Sequence, residues 1–215
     1  MNKRGQEQRA LSCPEKKIVL ARHGETMSNR NALIMGRTDS ELTPEGATIA
    51  KKLARIIEKE QVQAVYSSSL GRAVSCAAIY SVSLELPILP KDELMELSCG
   101  EWEGRSLRDV RPGHKAIREN WQERPPGGES YKDAEERMTS FIGEVCSDAT
   151  PERILVVSHA GALRVFLKIW LGLDPAVAIK IDCPHDTIFV LKANKGIVAK
   201  SIHGPDAETL PMKSD

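Results

Sequence analysis

The stretch Arg153-Ile154-Leu155-Val156-Val157-Ser158-His159 limits the possible folds of this chain more than any other, because it is an unbroken apolar run rich in β-branched residues. A strand without polar alternation has to be covered on both faces, which in soluble proteins means the interior of a parallel sheet. The run leads through Ala160-Gly161 into an apolar helix that Gly172 can end. Two earlier segments repeat the order strand, polar turn, helix. Lys17-Ile18-Val19-Leu20-Ala21 stops at Arg22-His23-Gly24-Glu25, and Gln63-Ala64-Val65-Tyr66-Ser67 passes through Ser68-Ser69 into a helical stretch from Leu70 to Tyr80.

Local signals place the other elements. Thr43-Pro44-Glu45-Gly46 reads as an N-cap, a proline at the first helical position and an acid at the positive end of the dipole. The helix it starts runs to about Lys59, with Ala47, Ala50, Leu53, Ala54 and Ile57 on one apolar face. Residues 82–131 hold five of the twelve prolines and read as a loop-rich insertion, with short helices over Arg105 to Arg118. Ser130 and Asp133 form a capping-box pattern for a helix to about Cys146, which buries Ala134, Met138, Phe141, Ile142 and Val145. Thr187 to Lys192 and Ile197 to Ser201, joined by Ala-Asn-Lys-Gly, predict an edge hairpin. The expected class is α/β, a single-domain three-layer sandwich whose mostly parallel sheet has helices on both faces, with a small insertion over the active site. Its domain spans residues 17–203, the cap insertion about 82–131, and residues 1–16 and 204–215 read as a flexible arm and a tail without chemistry.

Thirty basic and thirty acidic side chains give no net charge, so nothing draws the chain toward nucleic acid or a membrane. No apolar run has the length of a bilayer span, and the basic start MNKRGQEQRALSCPEKK lacks the apolar region of a signal peptide. A cytoplasmic location follows as the expectation. The odd set Cys13, Cys76, Cys99, Cys146 and Cys183 is scattered, with no C-x-x-C pair, and reads as free thiols without a metal site. His114, His185 and His203 lie on polar or turn-like stretches and read as solvated.

In open α/β sheets, ligands bind beyond the carboxyl ends of the strands. His23, His159, Arg22 and Arg72 all fall at such ends. That set suits a phosphoryl group, whose spread negative charge planar guanidiniums can hold by paired hydrogen bonds. Nearby cations favour neutral imidazole, so His23 is the candidate nucleophile, its second nitrogen held by a carbonyl. His159, Asn29 and backbone amides near Gly36 and Ala160 are the candidate neutral donors. Arg37 is added as a substrate contact, while Arg164 can equally be a structural partner. For the proton that a leaving alkoxide needs, Glu96 is favoured because Leu94, Met95 and Leu97 suit a carboxyl that carries a proton; Glu93, Glu101 and Glu103 are rivals. Glu25 reads equally as a partner that orients or neutralises an arginine and as a reacting group, and is left out of the catalytic set. Arg105, Arg108, Arg111, Lys115 and Arg118 form either a basic rim for acidic substrates or a solvated helix face.

With these residues in view, the sequence resembles the histidine phosphatase superfamily, in the branch that includes phosphoglycerate mutases. The blocks that carry the likeness are Arg22-His23-Gly24-Glu25-Thr26-Met27-Ser28-Asn29, Gly36 to Gly46, Ser67 to Ala73, Glu96 to Gly104 and Ser158-His159-Ala160-Gly161. The resemblance implies a phosphohistidine on His23, phosphate held by Arg22, Arg72 and His159, Glu96 as acid and base, and neither metal nor cofactor. Gly100 to Gly104 and Pro126 to Ser130 look like the phosphatase members, including α-ribazole phosphatases and broad-specificity relatives, so hydrolysis of a small-molecule phosphate monoester is the expected activity. A phosphoglycerate-type mutase and a non-catalytic phosphoryl-binding module are the alternatives. The physiological substrate is not legible, and a homodimer through an edge strand or helix is an open expectation.

Overall fold

The computed structural model describes residues 13, 16–110, 119–192, 196–205 and 210–212. Strand β1 (Lys17–Arg22) is followed by a short helix α1 (Met27–Arg30), then α2 (Pro44–Glu58), β2 (Ala64–Ser68), α3 (Gly71–Leu84) and β3 (Ile88–Lys91). Short 3₁₀ turns at Asp92–Leu94 and Gly100–Trp102 lead toward α4 (Tyr131–Val145). Then come β4 (Arg153–Ser158), α5 (Ala160–Leu171), α6 (Pro175–Ala178), β5 (Thr187–Lys192) and β6 (Ile197–Ser201). The strands form one sheet in the order β3-β2-β4-β1-β5-β6. β1, β2, β3 and β4 are parallel, while β5 and β6 are the antiparallel hairpin at one edge.

Alternation along the central strands divides the interior in two. Ile18 and Leu20 of β1, with Ile154 and Val156 of β4, face Met138, Phe141 and Ile142 of α4 and Phe166 of α5. Val19, Ala21, Leu155 and Val157 point the other way, into Leu53 and Ile57 of α2 and Cys76, Ala77 and Tyr80 of α3. Both faces are therefore covered, as the unalternated apolar runs required. Each fully buried Ile, Leu or Val contributes roughly 1.5–3 kcal/mol relative to exposure. The caps form at the expected positions. Thr43 Oγ accepts from the Gly46 amide, Ser130 and Asp133 make a reciprocal box, and Gly172 takes φ 67° at the end of α5.

Several expectations are corrected. α3 continues to Leu84, and Ile88–Lys91, inside the stretch read as loop-rich, pairs in parallel with β2. Proline is tolerated there because β3 is an edge strand. The turn after β1 holds the unpredicted α1, closed by a capping box between Thr26 and Asn29. Cys13 and Cys146 are not free thiols but a disulfide, 133 residues apart in sequence. Beside that bridge, buried Lys16 donates from Nζ to the carbonyls of Ser147 (2.9 Å) and Thr150 (2.6 Å), so this part of the arm is docked. The tail also returns to the body, where the Asp182 amide donates to Pro211 O at 2.8 Å. Of the helical reading for Arg105 to Arg118, residues 107–110 are helical, and the basic residues Arg111, Lys115 and Arg118, like His114, lie outside the described residues.

Candidate active site

The carboxyl ends of β1 and β4 are in register, Arg22 opposite Ser158, so the next residue of each strand is a histidine at the same sheet edge. The His23 and His159 rings lie 5.0 Å apart between centroids. Both are buried, at 2% and 0% exposure. Arg22 arrives from the end of β1 and Arg72 from the first turn of α3, and both depress the basicity of each imidazole. Burial is the larger cause. It pulls His23 well below the ordinary histidine value, with His159, Arg22, Arg72 and His185 adding to the effect; His159 is lowered by burial, Arg72, Arg22 and Arg137.

The contacts of the two rings bear on which nitrogen of each carries the proton. His23 Nδ1 donates to the Gly24 carbonyl at 2.7 Å, and this bond assigns the lone pair to Nε2. His159 Nε2 lies 2.8 Å from Ser68 Oγ, and that hydroxyl already accepts from the Leu70 amide at 3.3 Å. If Ser68 spends its proton on Nε2, neutral His159 keeps its own proton on Nδ1. That nitrogen is buried and has no hydrogen-bond partner, and neither has Arg72 Nε. Buried polar groups left open in this way mark a place for a polar ligand.

Arg72 does not offer a free fork. Its Nη1 donates to Thr38 O at 2.6 Å and its Nη2 to Gly36 O at 2.7 Å, so the guanidinium also ties down the 36–39 loop. Burial lowers the basicity of Arg72, opposed by Glu96, Asp39 and Glu103. Arg22 Nη1 donates to Cys183 O at 3.0 Å. Asn29 commits its amide oxygen to the Thr26 amide and hydroxyl, which leaves its NH2 group as the donor it can present.

Glu96 sits in surroundings that its sequence neighbours did not foretell. Leu94 and Leu97 turn into the core, whereas the Glu96 carboxylate accepts from the amides of Leu97 (3.0 Å), Gly161 (3.1 Å) and Ala162 (3.1 Å). It therefore occupies the positive end of α5, whose N-cap residue His159 makes no side-chain cap. A Cβ on Gly161 would stand 2.4 Å from Glu96 Oε1, so a glycine is needed there for the carboxylate to approach.

A cavity of about 300 Å³ is lined by Arg22, His23, Asn29, Gly36, Arg72, Glu96 and Ala160, and also by Arg164, Trp102, Leu107, Glu129 and Tyr131. Arg37 is not among the lining residues. Its amide donates to Glu103 Oε1 at 3.0 Å and its guanidinium reaches Glu129 at 3.4 Å. Glu103, a rival for the acid role, instead organises loops: it also accepts from the amides of Thr38 (3.0 Å) and Cys99 (2.9 Å). Glu25 pairs with Arg30 at 2.7 Å and accepts from Thr43 Oγ1 at 2.9 Å. Arg164, buried, donates from Nε to Ile181 O at 2.8 Å. His185 is not a solvated turn residue but is half-buried, with its ring 5.5 Å from that of His23 and its Nδ1 donating to His23 O at 2.6 Å. Its pKa is lowered to about 4, chiefly by burial and then by Arg22. No local signal marks it, since only the packing of the 181–186 segment against the end of β1 brings it there.

A family model described as "Histidine phosphatase superfamily (branch 1)" matches residues 18–199. Phosphoserine phosphatase 1 of Hydrogenobacter thermophilus is 27% identical over 180 residues, covering 81% of this chain and 85% of its own length. The adenosylcobalamin/α-ribazole phosphatase of Escherichia coli is 31% identical over 168 residues, covering 76% of this chain and 82% of its own. Relatives named as phosphoglycerate mutases also match. Among solved structures, a mycobacterial glucosyl-3-phosphoglycerate phosphatase superposes with a TM-score of 0.74 at 25% identity, covering 82% of this chain and 90% of its own.

Proposed function

We propose that this chain, which belongs to the histidine phosphatase superfamily (branch 1), hydrolyses small-molecule phosphate monoesters with His23 as the nucleophile. The observation that carries the assignment of roles is the buried pair of neutral imidazoles 5.0 Å apart, with Nε2 of His23 holding a lone pair and two guanidiniums beside it. In the first step Nε2 attacks phosphorus, a P–N bond forms, and the P–O bond to the alcohol breaks. Arg22, Arg72 and the Nδ1–H of His159 stabilise the charge on the equatorial oxygens. Glu96 gives the leaving oxygen its proton. In the second step water attacks phosphorus, Glu96 takes the proton from that water, and the P–N bond breaks to release inorganic phosphate.

The reaction so drawn runs without a metal, because the guanidiniums supply the positive charge. A cytoplasmic location would set the Cys13–Cys146 bridge in a reducing compartment, where it would stand open. Alkylation of thiols in intact cells followed by mass measurement reads which condition holds. A homodimer would pair through an edge strand, β3 or β6, or through a helix, and sedimentation of the purified chain tests for it.

The test of the main reading is a screen of phosphate monoesters in the presence of a chelator, with His23→Ala alongside. Activity without added metal or bisphosphate primer is expected, together with an acid-labile phosphoenzyme that the variant does not form. Retained turnover in His23→Ala, or a strict Mg²⁺ requirement, refutes the mechanism. Activity that depends on a bisphosphate primer makes the chain a mutase.

A further inference from the structure

We infer that Arg137, on α4, is a positioning residue that holds Glu96 in place for proton transfer to the leaving oxygen; the inference rests on the reading of Glu96 as the general acid. The side chain of Arg137 is 16% exposed and all of its nitrogens are in use. Nη1 donates to the carbonyls of Glu93 (2.6 Å) and Met95 (2.8 Å), the second being the residue directly before Glu96. Nε and Nη2 form a two-pronged pair with Glu129 at 3.1 Å and 3.0 Å.

Glu129 then reaches the other side of the acid. Its amide donates to Ser98 O at 2.9 Å, and one of its carboxylate oxygens lies 3.4 Å from the Ser98 amide. The backbone carrying Glu96 is therefore tied at Glu93 and Met95 by the guanidinium itself and at Ser98 by the backbone amide and the carboxylate of its partner Glu129. The α5 amides hold the carboxylate, and the backbone behind it is fixed by the buried Leu94 and Leu97, by Ser158 Oγ donating to Leu94 O at 2.7 Å, and by Arg137 at Glu93 and Met95. Arg137 supplies its share of that restraint from a rigid helix. A lysine keeps the charge and loses the planar fork, so it cannot serve two carbonyls and two carboxylate oxygens at once.

The distinguishing measurement is kcat/KM, which reports steps through cleavage of the ester, for β-glycerophosphate and p-nitrophenyl phosphate. An alkoxide needs its proton and p-nitrophenolate does not. Arg137→Lys is expected to lose about tenfold to a hundredfold on the alkyl ester and about threefold or less on the aryl ester. In a Glu96→Gln background, Arg137→Lys should add no further discrimination between the two esters. Glu129→Gln, which weakens the clamp from the other side, should give the same pattern, and serves if the lysine variant fails to fold. Equal losses on both esters in Arg137→Lys and Glu129→Gln, beside unequal ones in Glu96→Gln, overturn this inference alone. Equal losses in Glu96→Gln overturn the acid assignment, and the inference with it.

Discussion

Replacing Gly161 by alanine separates stability from catalysis at a single methyl group. The new Cβ would stand 2.4 Å from Glu96 Oε1 and 3.1 Å from Leu97 Cδ1, where ordinary contact begins near 3.4 Å. The carboxylate, the free end of a flexible side chain, must therefore withdraw by about 1 Å, and the 3.1 Å bond that its Oε1 accepts from the Ala162 amide is lost or lengthened. Alanine gains up to about 1 kcal/mol of helix propensity over glycine, and losing a hydrogen bond to a charged group costs about 1.5–3 kcal/mol, discounted because the displaced carboxylate regains water. The net change is within about 1 kcal/mol, or roughly 2–4 °C in melting temperature for a chain of this size. A misplacement of about 1 Å at a catalytic group can cost about a hundredfold in rate. Scanning calorimetry beside steady-state kinetics on alkyl and aryl esters measures both quantities. A nearly unchanged Tm with about a hundredfold loss confined to the alkyl ester is expected. Full activity on both esters would refute the claim that the position of the Glu96 carboxylate limits the reaction.

Acid should destabilise the fold through its histidines. His185 is held at about 4, so from pH 6.5 down to about 4 it stays neutral when folded and gains a proton when unfolded, and His23 and His159, held well below 6.5, act in the same direction. The unfolded chain then binds more protons, so the stability is complete above pH 6.5 and is lost as the pH falls toward 4. His185 alone accounts for about 3 kcal/mol of this. Urea midpoints should fall steadily from pH 7 to 5, less so in His185→Asn, and level midpoints would exclude neutral buried imidazoles. Thiol titration of the unfolded, unreduced chain should count three cysteines, rising to five after reduction; five without reductant would remove the Cys13–Cys146 bridge.

Much of this protein is written in local patterns. The unalternated runs at β1, β2 and β4 required a sheet covered on both sides, and the caps at Thr43, Ser130 and Gly172 marked helix ends where they occur. Since parallel strands deliver the residues after them to one edge, the meeting of His23 with His159 also follows from the order of elements. These features depend on neighbours within a few residues, and periodicity and capping chemistry report such neighbours directly.

Other features depend on which surfaces come together, and no short stretch of chain encodes that. His185 reads as a solvated turn residue until the segment before β5 packs on the end of β1, 162 residues away in sequence. Cys13 finds Cys146 across 133 residues, and the Glu96 carboxylate meets amides 65 and 66 residues further on instead of the leucines beside it. No pattern in the sequence singles out Arg137, yet its guanidinium reaches the carbonyls of Glu93 and Met95 and the Glu129 carboxylate. Sequence determined which groups reach the edge of the sheet. Tertiary packing decided what each one touches there, because side-chain direction and burial are set by the joint fit of distant elements.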